Sequence, residues 1–368
     1  MASIPLVDLA AQTDQVAEEV ALGWAEVLKA TAFVGGPQVS VFEKEFAEYS
    51  GVRNCVGVAN GTDALELALR ALGVGPGDEC VLPANTFIAT AEAVARVGAV
   101  PVLVDCVEET ALIDVDSIME KLGSRTKAII PVHLYGQTAP MEQIVGIANA
   151  TGVSVLEDAA QAQGARRNGV TAGGLGDIAA TSFYPGKNLG AYGDAGAVLT
   201  EDDGLAARVR LLGAHGSPRK YEHTVVGFNS RLDTLQAVVL SAKLRRLEGW
   251  NTARRAAAAR YSDLLGGLAD VKLPVVLEGN EPVWHLYVVR VPDRDHVLGE
   301  LHAAGIGAGI HYPTPVHLTG AFSSLGHGRG DFPVTEKISG ELLSLPLFPE
   351  ITRSQQEFVA ETLAKAVR

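Results

Sequence analysis

Cysteine is scarce in this chain of 368 residues. Only Cys55, Cys80 and Cys106 occur, each in or beside an apolar, strand-like run and none at the close spacing of a zinc site. They read as buried thiols of a cytoplasmic protein, and no metal is expected. Long hydrophobic runs are missing too: no uninterrupted apolar stretch reaches membrane-spanning length, and the amino terminus has no charged segment followed by a hydrophobic one. Neither membrane insertion nor secretion is therefore expected. Basic residues are outnumbered, 30 Lys and Arg against 43 Asp and Glu, for a formal net charge of −13. That deficit excludes a nucleic-acid surface, which needs clustered cations, yet a few focused basic groups still suffice for a small anionic ligand.

What is present is an apolar content of 47%, enough for a substantial core, in a chain long enough for a large domain with a smaller one attached. Residues 14–50 have a helical pattern broken at Gly35-Gly36, after which Pro37 suits a first helical position and Val39, Phe42, Phe46 and Tyr49 line one face. Residues 55–59, 80–82, 100–104, 128–132 and 153–156 then read as strands, separated by helical stretches that often end in glycine (Gly73, Gly98, Gly152). Repeated βα units predict an α/β fold with a mostly parallel sheet covered by helices. After Asp233 an Ala- and Arg-rich helix runs to about Leu265. The remainder mixes a strand at 284–291 with a helix at 295–304, a smaller carboxyl-terminal α+β domain. The expected division is a large domain over 1–240, including an amino-terminal arm, and a small domain over 241–368. Residues 323–330, rich in Gly and Ser without periodic apolar side chains, read as a mobile loop.

Lys187 is the most informative residue. It follows an apolar run of strand length (177–183) and precedes a glycine-rich stretch (190–196) and another apolar run, so it sits on a turn between two buried strands. A solvated lysine is a point charge, whereas a desolvated one is a nucleophile. A surface-loop lysine is the plain alternative; upstream residues weigh against it. A buried strand at 153–157 ends in Asp158-Ala-Ala-Gln161, placing an acid at the carboxyl edge where open α/β sheets bind ligands, although a strand-end Asp also suits a helix N-cap. An acid and an amine at successive strand ends meet the needs of pyridoxal 5'-phosphate, whose aldehyde takes an amine and whose pyridinium nitrogen takes a counter-charge. Asn60-Gly-Thr-Asp63 opens the helix that follows the first core strand. Gly61 and Thr62 are the expected phosphate anchors through backbone N–H groups and the helix dipole; an ordinary start capped by Thr62 or Asp63 is the alternative.

Two other nucleotide chemistries fail on spacing. Gly73-Val-Gly-Pro-Gly77 lacks the remainder of a dinucleotide fingerprint and precedes a strand, and around Gly186-Lys187 a phosphate loop would need glycine at Thr181 and Ser or Thr at Asn188.

The segments Glu157-Asp-Ala-Ala-Gln161, Ser182-Phe-Tyr-Pro-Gly-Lys187-Asn and Asn229-Ser-Arg-Leu-Asp233 with Gln236 resemble the DegT/DnrJ/EryC1/StrS family of nucleotide-sugar aminotransferases. The likeness runs nearly end to end, from Pro5-Leu-Val-Asp-Leu9 to Leu345-Pro-Leu347. It implies aminotransferase fold type I, a homodimer with shared active sites, and transfer of the amino group of L-glutamate to a nucleotide-linked keto-deoxyhexose, dTDP-borne, at C3 or C4, in deoxyaminosugar or antibiotic-sugar biosynthesis. The lysine segment leans toward relatives that aminate C3. By the same resemblance Lys187 binds the cofactor and then moves the proton, and Asp158 faces the ring nitrogen. Phe87 lies over the ring, Gln161 reaches its phenolic oxygen, Ser182 holds the phosphate, and Asn229 reaches it from the neighbouring subunit. Expected sugar-nucleotide contacts are Tyr184, the cluster Arg219, Lys220 and Tyr221, and His311 with Tyr312, as diphosphate partners or stacking surfaces. Relatives that dehydrate sugars carry histidine at the lysine position, so Lys187 favours transamination. A regulator or sensor that keeps the fold without turnover is the remaining alternative.

Overall fold

In the computed structural model, which describes residues 3–368, the apolar runs become strands β1 (Asn54–Val58), β2 (Glu79–Pro83), β3 (Val100–Val104), β4 (Thr126–Ile129) and β5 (Ser154–Asp158). A short hairpin, β6 (Arg166–Arg167) and β7 (Val170–Thr171), precedes β8 (Ile178–Ser182) and β9 (Gly196–Thr200). Seven of these form one sheet in the order β1-β9-β8-β5-β4-β2-β3. From β3 to β8 all neighbours are parallel, while β9 runs antiparallel to both β8 and β1. Both faces are covered, which is why these strands read as near-continuous apolar runs. Cys80 and Leu82 of β2 pack with the helices Gly61–Ala71 and Ile88–Arg96, and Val81 between them packs with Ile144 and Ala148 of Met141–Thr151 on the opposite face.

Two strands differ from expectation. The strand placed at 128–132 ends at Ile129, because Pro131 has no N–H to continue a ladder. The strand placed at 284–291 narrows to Tyr287–Arg290, since Trp284 has a positive φ of 48° and cannot extend. After a two-residue strand β10 (Asn280–Glu281) that joins the β6–β7 hairpin, this strand is β11; it pairs antiparallel with β12 (Leu342–Leu345).

The helix Thr234–Leu265 connects two cores. Ala237, Leu240, Leu244 and Leu247 in its first half pack against Phe42, Phe183 and Leu189; Ala257, Ala258, Tyr261 and Leu265 in its second half pack with Tyr287, Leu301, Leu343 and Leu363. A division at 240/241 falls inside this helix. Ile4 belongs to the second core, with its N–H on the Gly305 carbonyl at 2.9 Å, so the amino-terminal arm lies against the carboxyl-terminal unit. The 323–330 segment, expected to be mobile, has anchors that no periodic pattern reveals. Leu325 packs on the large core, and the Gly330 N–H donates to the Glu336 carboxylate at 2.8 Å.

Candidate active site

Alternation along β5 separates its two acids. Glu157 is buried and accepts from the Gly173, Leu175 and Gly176 N–H groups and pairs with His133 Nε2 at 2.8 Å. Asp158, at the strand's carboxyl end, faces a cavity instead. Its Oδ2 accepts from Thr90 Oγ1 at 2.8 Å and its Oδ1 from the Ala160 N–H at 3.2 Å. Burial pushes its carboxyl above the ordinary carboxylate range, while those donors, Lys187 and His133 pull it back toward the anion.

Lys187 follows β8 on a tight loop. The loop is closed by Ala191 N–H to Phe183 O and by Lys187 N–H to Tyr184 O, both 2.8 Å. One side of the lysine opens to the cavity; the rest is withdrawn from bulk water, and that burial lowers its ammonium from 10.5 to about 8 against the attraction of Asp158. About a tenth of the amine is thus unprotonated at pH 7, far more than for a solvated lysine.

The third element is the start of the helix Gly61–Ala71, at the end of β1. Its cap is Asn60, whose side chain accepts from the Asp63 N–H at 2.8 Å, rather than Thr62 or Asp63. Side chains are excluded where chains meet here. A Cβ on Gly61 would stand 2.6 Å from Ser182 Cβ, and one on Gly196 would stand 2.5 Å from the Asn60 carbonyl. The antiparallel return of β9 forces this approach and brings the Ser182 hydroxyl to the helix start. Ser182 Oγ accepts from the Tyr184 N–H at 3.2 Å, so its own proton is free for an anion. With the first-turn N–H groups of Gly61 and Thr62, it forms a cradle for a phosphate.

These groups line one cavity of about 520 Å³ between the carboxyl edge of the sheet and the second core. Phe87, Gln161, Tyr184, His311 and Tyr312 line it as well. Phe87 is 51% exposed, its ring centroid 5.3 Å from that of Tyr312, so it offers an apolar face at the mouth. Gln161 Oε1 accepts from the Tyr135 N–H at 2.6 Å, which turns its amide nitrogen to the Tyr312 hydroxyl at 3.0 Å. His311 Nδ1 meets Ser344 Oγ at 2.8 Å, and burial, aided by Lys187, lowers its imidazole to about 4.

Four expected residues are not brought here. Arg219, Lys220, Tyr221 and Asn229 lie on the exposed excursion between the helices Asp203–Gly213 and Thr234–Leu265, outside this cavity. Tyr221 is 81% exposed beneath the Lys220 ammonium, and Asn229 Oδ1 accepts from Arg231 Nε at 3.1 Å.

Conversely, the sequence reading missed Thr90, Tyr135 and His285. The Asn188 amide donates to Asn251 Oδ1 at 2.9 Å and to Val283 O at 3.0 Å, so its Oδ1 must accept from His285 Nδ1 at 3.2 Å. His285 is therefore protonated at Nδ1, and burial holds its pKa well below the usual imidazole range. A histidine at the start of an apolar run gives no local sign of a cavity.

These residues fit pyridoxal phosphate. Two first-turn amides and a free hydroxyl suit the phosphate, a buried carboxylate suits the ring nitrogen, and a desolvated amine suits the aldehyde. A model of the DegT/DnrJ/EryC1/StrS aminotransferase family matches residues 14–364. The chain is 45% identical to a pleiotropic regulatory protein of Geobacillus stearothermophilus, over 100% of this chain and 99% of that protein. It is 44% identical to the dTDP-3-amino-3,4,6-trideoxy-alpha-D-glucose transaminase of Streptomyces venezuelae, over 96% and 93%. Its structure is similar to that of S. venezuelae DesV in complex with a ketimine intermediate, with a TM-score of 0.98 at 43% identity covering 100% of both chains. Family match and site chemistry agree: the chain belongs to the DegT/DnrJ/EryC1/StrS aminotransferases, pyridoxal-phosphate-dependent enzymes with the α/β architecture of fold type I.

Proposed function

We propose that this chain transfers the amino group of L-glutamate to C3 of a keto-6-deoxyhexose carried on dTDP, a step in making a deoxyaminosugar of the kind found in antibiotics. The observation that carries the reading is a half-buried amine, Lys187, and a buried carboxylate, Asp158, sharing one cavity with the Gly61, Thr62 and Ser182 cradle. The transaminase of S. venezuelae, named for a 3-amino sugar, supports C3 over C4.

Pyridoxal phosphate, when bound, supplies an electrophilic aldehyde and an electron-accepting ring. Asp158, steadied by Thr90 and the Ala160 N–H, keeps a proton on the ring nitrogen. Lys187 Nζ, lowered to about 8, takes the proton from the donor's Cα. Phe87 would cover the ring face, Gln161, whose amide nitrogen meets the Tyr312 hydroxyl, would lie within reach of the ring's oxygen, and Tyr184, His311 and Tyr312 would shape the wider side for the sugar.

A diphosphate needs cations, and among the described residues lining this cavity Lys187 is the only lysine or arginine. Arg219, Lys220, Tyr221 and Asn229 therefore serve the site of a second subunit in a homodimer. Apolar side chains left exposed on the helices Ala17–Ala30 and Pro37–Ser50, including Leu22, Leu28 and Val41, support such an interface. Among the described residues no helix is long and apolar enough to cross a membrane, and Cys55, Cys80 and Cys106 are buried free thiols, which supports placing the enzyme in the cytoplasm.

A second reading, a cofactor-binding regulator without turnover, is favoured by the name of the Geobacillus relative. One experiment separates them. The purified, cofactor-loaded protein is mixed with L-glutamate and followed by absorbance, then given 3-keto and 4-keto dTDP-sugars, with the aminated carbon identified by NMR. We expect the aldehyde form of the cofactor to become the amine form and nitrogen to appear at C3. Amination at C4 overturns the regiochemistry, and no response to glutamate overturns the enzyme reading in favour of the regulator.

A further inference from the structure

The helix Thr234–Leu265 carries polar side chains where a helix between two apolar cores has little reason to. Lys243 is 2% exposed and Asn251 fully buried. With half-buried Gln236 they are spaced seven and eight residues apart, about two turns each, and so share one face. That face lies along the segment following Lys187, with the two chains running in opposite directions. Gln236 grips Tyr192 at both backbone groups, accepting from its N–H at 2.8 Å and donating to its carbonyl at 3.2 Å. Lys243 Nζ donates to the Gly190 carbonyl at 2.8 Å and stands 4.7 Å from the centre of the Tyr192 ring. Asn251 Oδ1 accepts from Asn188 at 2.9 Å. Three successive contacts thus hold residues 192, 190 and 188, and Lys187 is the next residue in the chain.

We propose that Lys243 is a positioning residue for Lys187, the middle one of three clamps by which this helix fixes the lysine loop. It never touches substrate or cofactor. Gly190 leaves the loop little slack, since a Cβ there would meet the Pro185 carbonyl oxygen at 2.3 Å. The loop is closed on itself at 183–191, so its remaining freedom is to swing as a unit, and a donor on its outer carbonyl is what opposes that swing. A charged donor makes the stronger bond, and an aromatic face is the fitting neighbour for an ammonium held out of water. Burial lowers this ammonium to about 8 and no carboxylate among the described residues offsets it, which marks an investment in position rather than in stability.

The inference rests on Lys187 being the reactive amine, and the test separates the two. Wild type, Lys243→Met and Gln236→Ala are compared as full-length, cofactor-loaded proteins by hydrogen–deuterium exchange and by the single-turnover reaction with glutamate. Borohydride labelling of wild type checks Lys187 on its own. In Lys243→Met we expect exchange in peptides covering 187–193 to rise about tenfold or more, the scale set by losing a charge-assisted hydrogen bond. The saturating rate should fall by a similar factor with the half-saturating glutamate concentration unchanged. Unchanged exchange in that segment overturns the proposal, as does acceleration spread evenly over the chain or an unchanged saturating rate. Should Lys243→Met not fold, Gln236→Ala, which cuts the neighbouring clamp without emptying a buried charge site, decides by the same criteria. Should wild type ignore glutamate, the enzyme reading fails and the exchange data alone judge the clamp.

Discussion

Lys187→Met should make the cofactor-free protein more stable near neutral pH. In the folded chain, burial lowers the Lys187 ammonium from the ordinary 10.5 to about 8. Since the folded value lies below the unfolded one, folding expels a proton between those two pH values. The penalty is complete below about 8 and fades as pH rises toward 10.5. A drop of this size corresponds to about 3 kcal/mol. Solvent at the face that the side chain keeps on the cavity reduces it, the attraction of Asp158 being already contained in the value of about 8. A net gain of about 2 kcal/mol remains. Urea denaturation of both proteins, stripped of cofactor, at pH 7 and pH 10.5 measures it. We expect Lys187→Met to lead at pH 7 and the lead to shrink by about 2 kcal/mol at the higher pH, whatever constant amount methionine packing adds. A difference that does not change with pH, or a more stable wild type at pH 7, refutes the idea that the amine is held at a cost.

Gly61→Ala should weaken cofactor binding before it unfolds the chain. The new Cβ, 2.6 Å from Ser182 Cβ, drives the helix start and the serine apart at the phosphate cradle, with overpacking of about 1–3 kcal/mol. Titration with pyridoxal phosphate should show at least about a tenfold loss of affinity, and wild-type affinity would mean that the phosphate sits elsewhere. The proposed sharing of sites between two subunits is open to a mixing experiment. Lys187→Ala and Asn229→Ala proteins, each expected to be inactive as a homodimer, are dissociated and recombined in equal amounts. If Asn229 acts across the interface, mixed dimers hold one intact site and about a quarter of wild-type activity returns. No recovery, with mixed dimers verified by mass spectrometry, places Asn229 in its own subunit's site.

Residues legible in the sequence were those whose chemistry is announced by their immediate neighbours. Asp158 ends an apolar strand, Lys187 sits in a glycine-rich turn between two more, and Gly61 and Thr62 open a helix after a strand. Local pattern therefore sufficed to place all four at the ligand edge of the sheet. His285 joins the same cavity from another element, and Thr90 and Tyr135 support it from behind through Asp158 and Gln161; what aims all three is the register between strands and helices far apart in the chain. A hydroxyl inside the helix Ile88–Arg96 meets Asp158 only because β2 and β5 flank β4 in the sheet. Residues 219–221 and 229 illustrate the opposite case. Their type suits an anionic substrate, yet one chain alone does not bring them to its own site.

The helix Thr234–Leu265 shows why some of the site's support was out of reach. Its bounds were legible to within a residue, from Asp233 at one end to Leu265 at the other, but not its polar face. A lysine in an Ala- and Arg-rich helix is read as solvated because most helices have one face on water. This one lies between the core around Phe183 and Leu189 and the core around Tyr287 and Leu343, so faces that would ordinarily be wet are covered. Burying Lys243 and Asn251 is tolerable only where backbone carbonyls and amides need partners, and an irregular loop supplies such groups where a strand or helix would not. The lysine loop is the segment so served. The polar face of the helix and the irregular path of residues 187–192 are thus one feature, each making the other affordable, and neither is visible until the chain has folded.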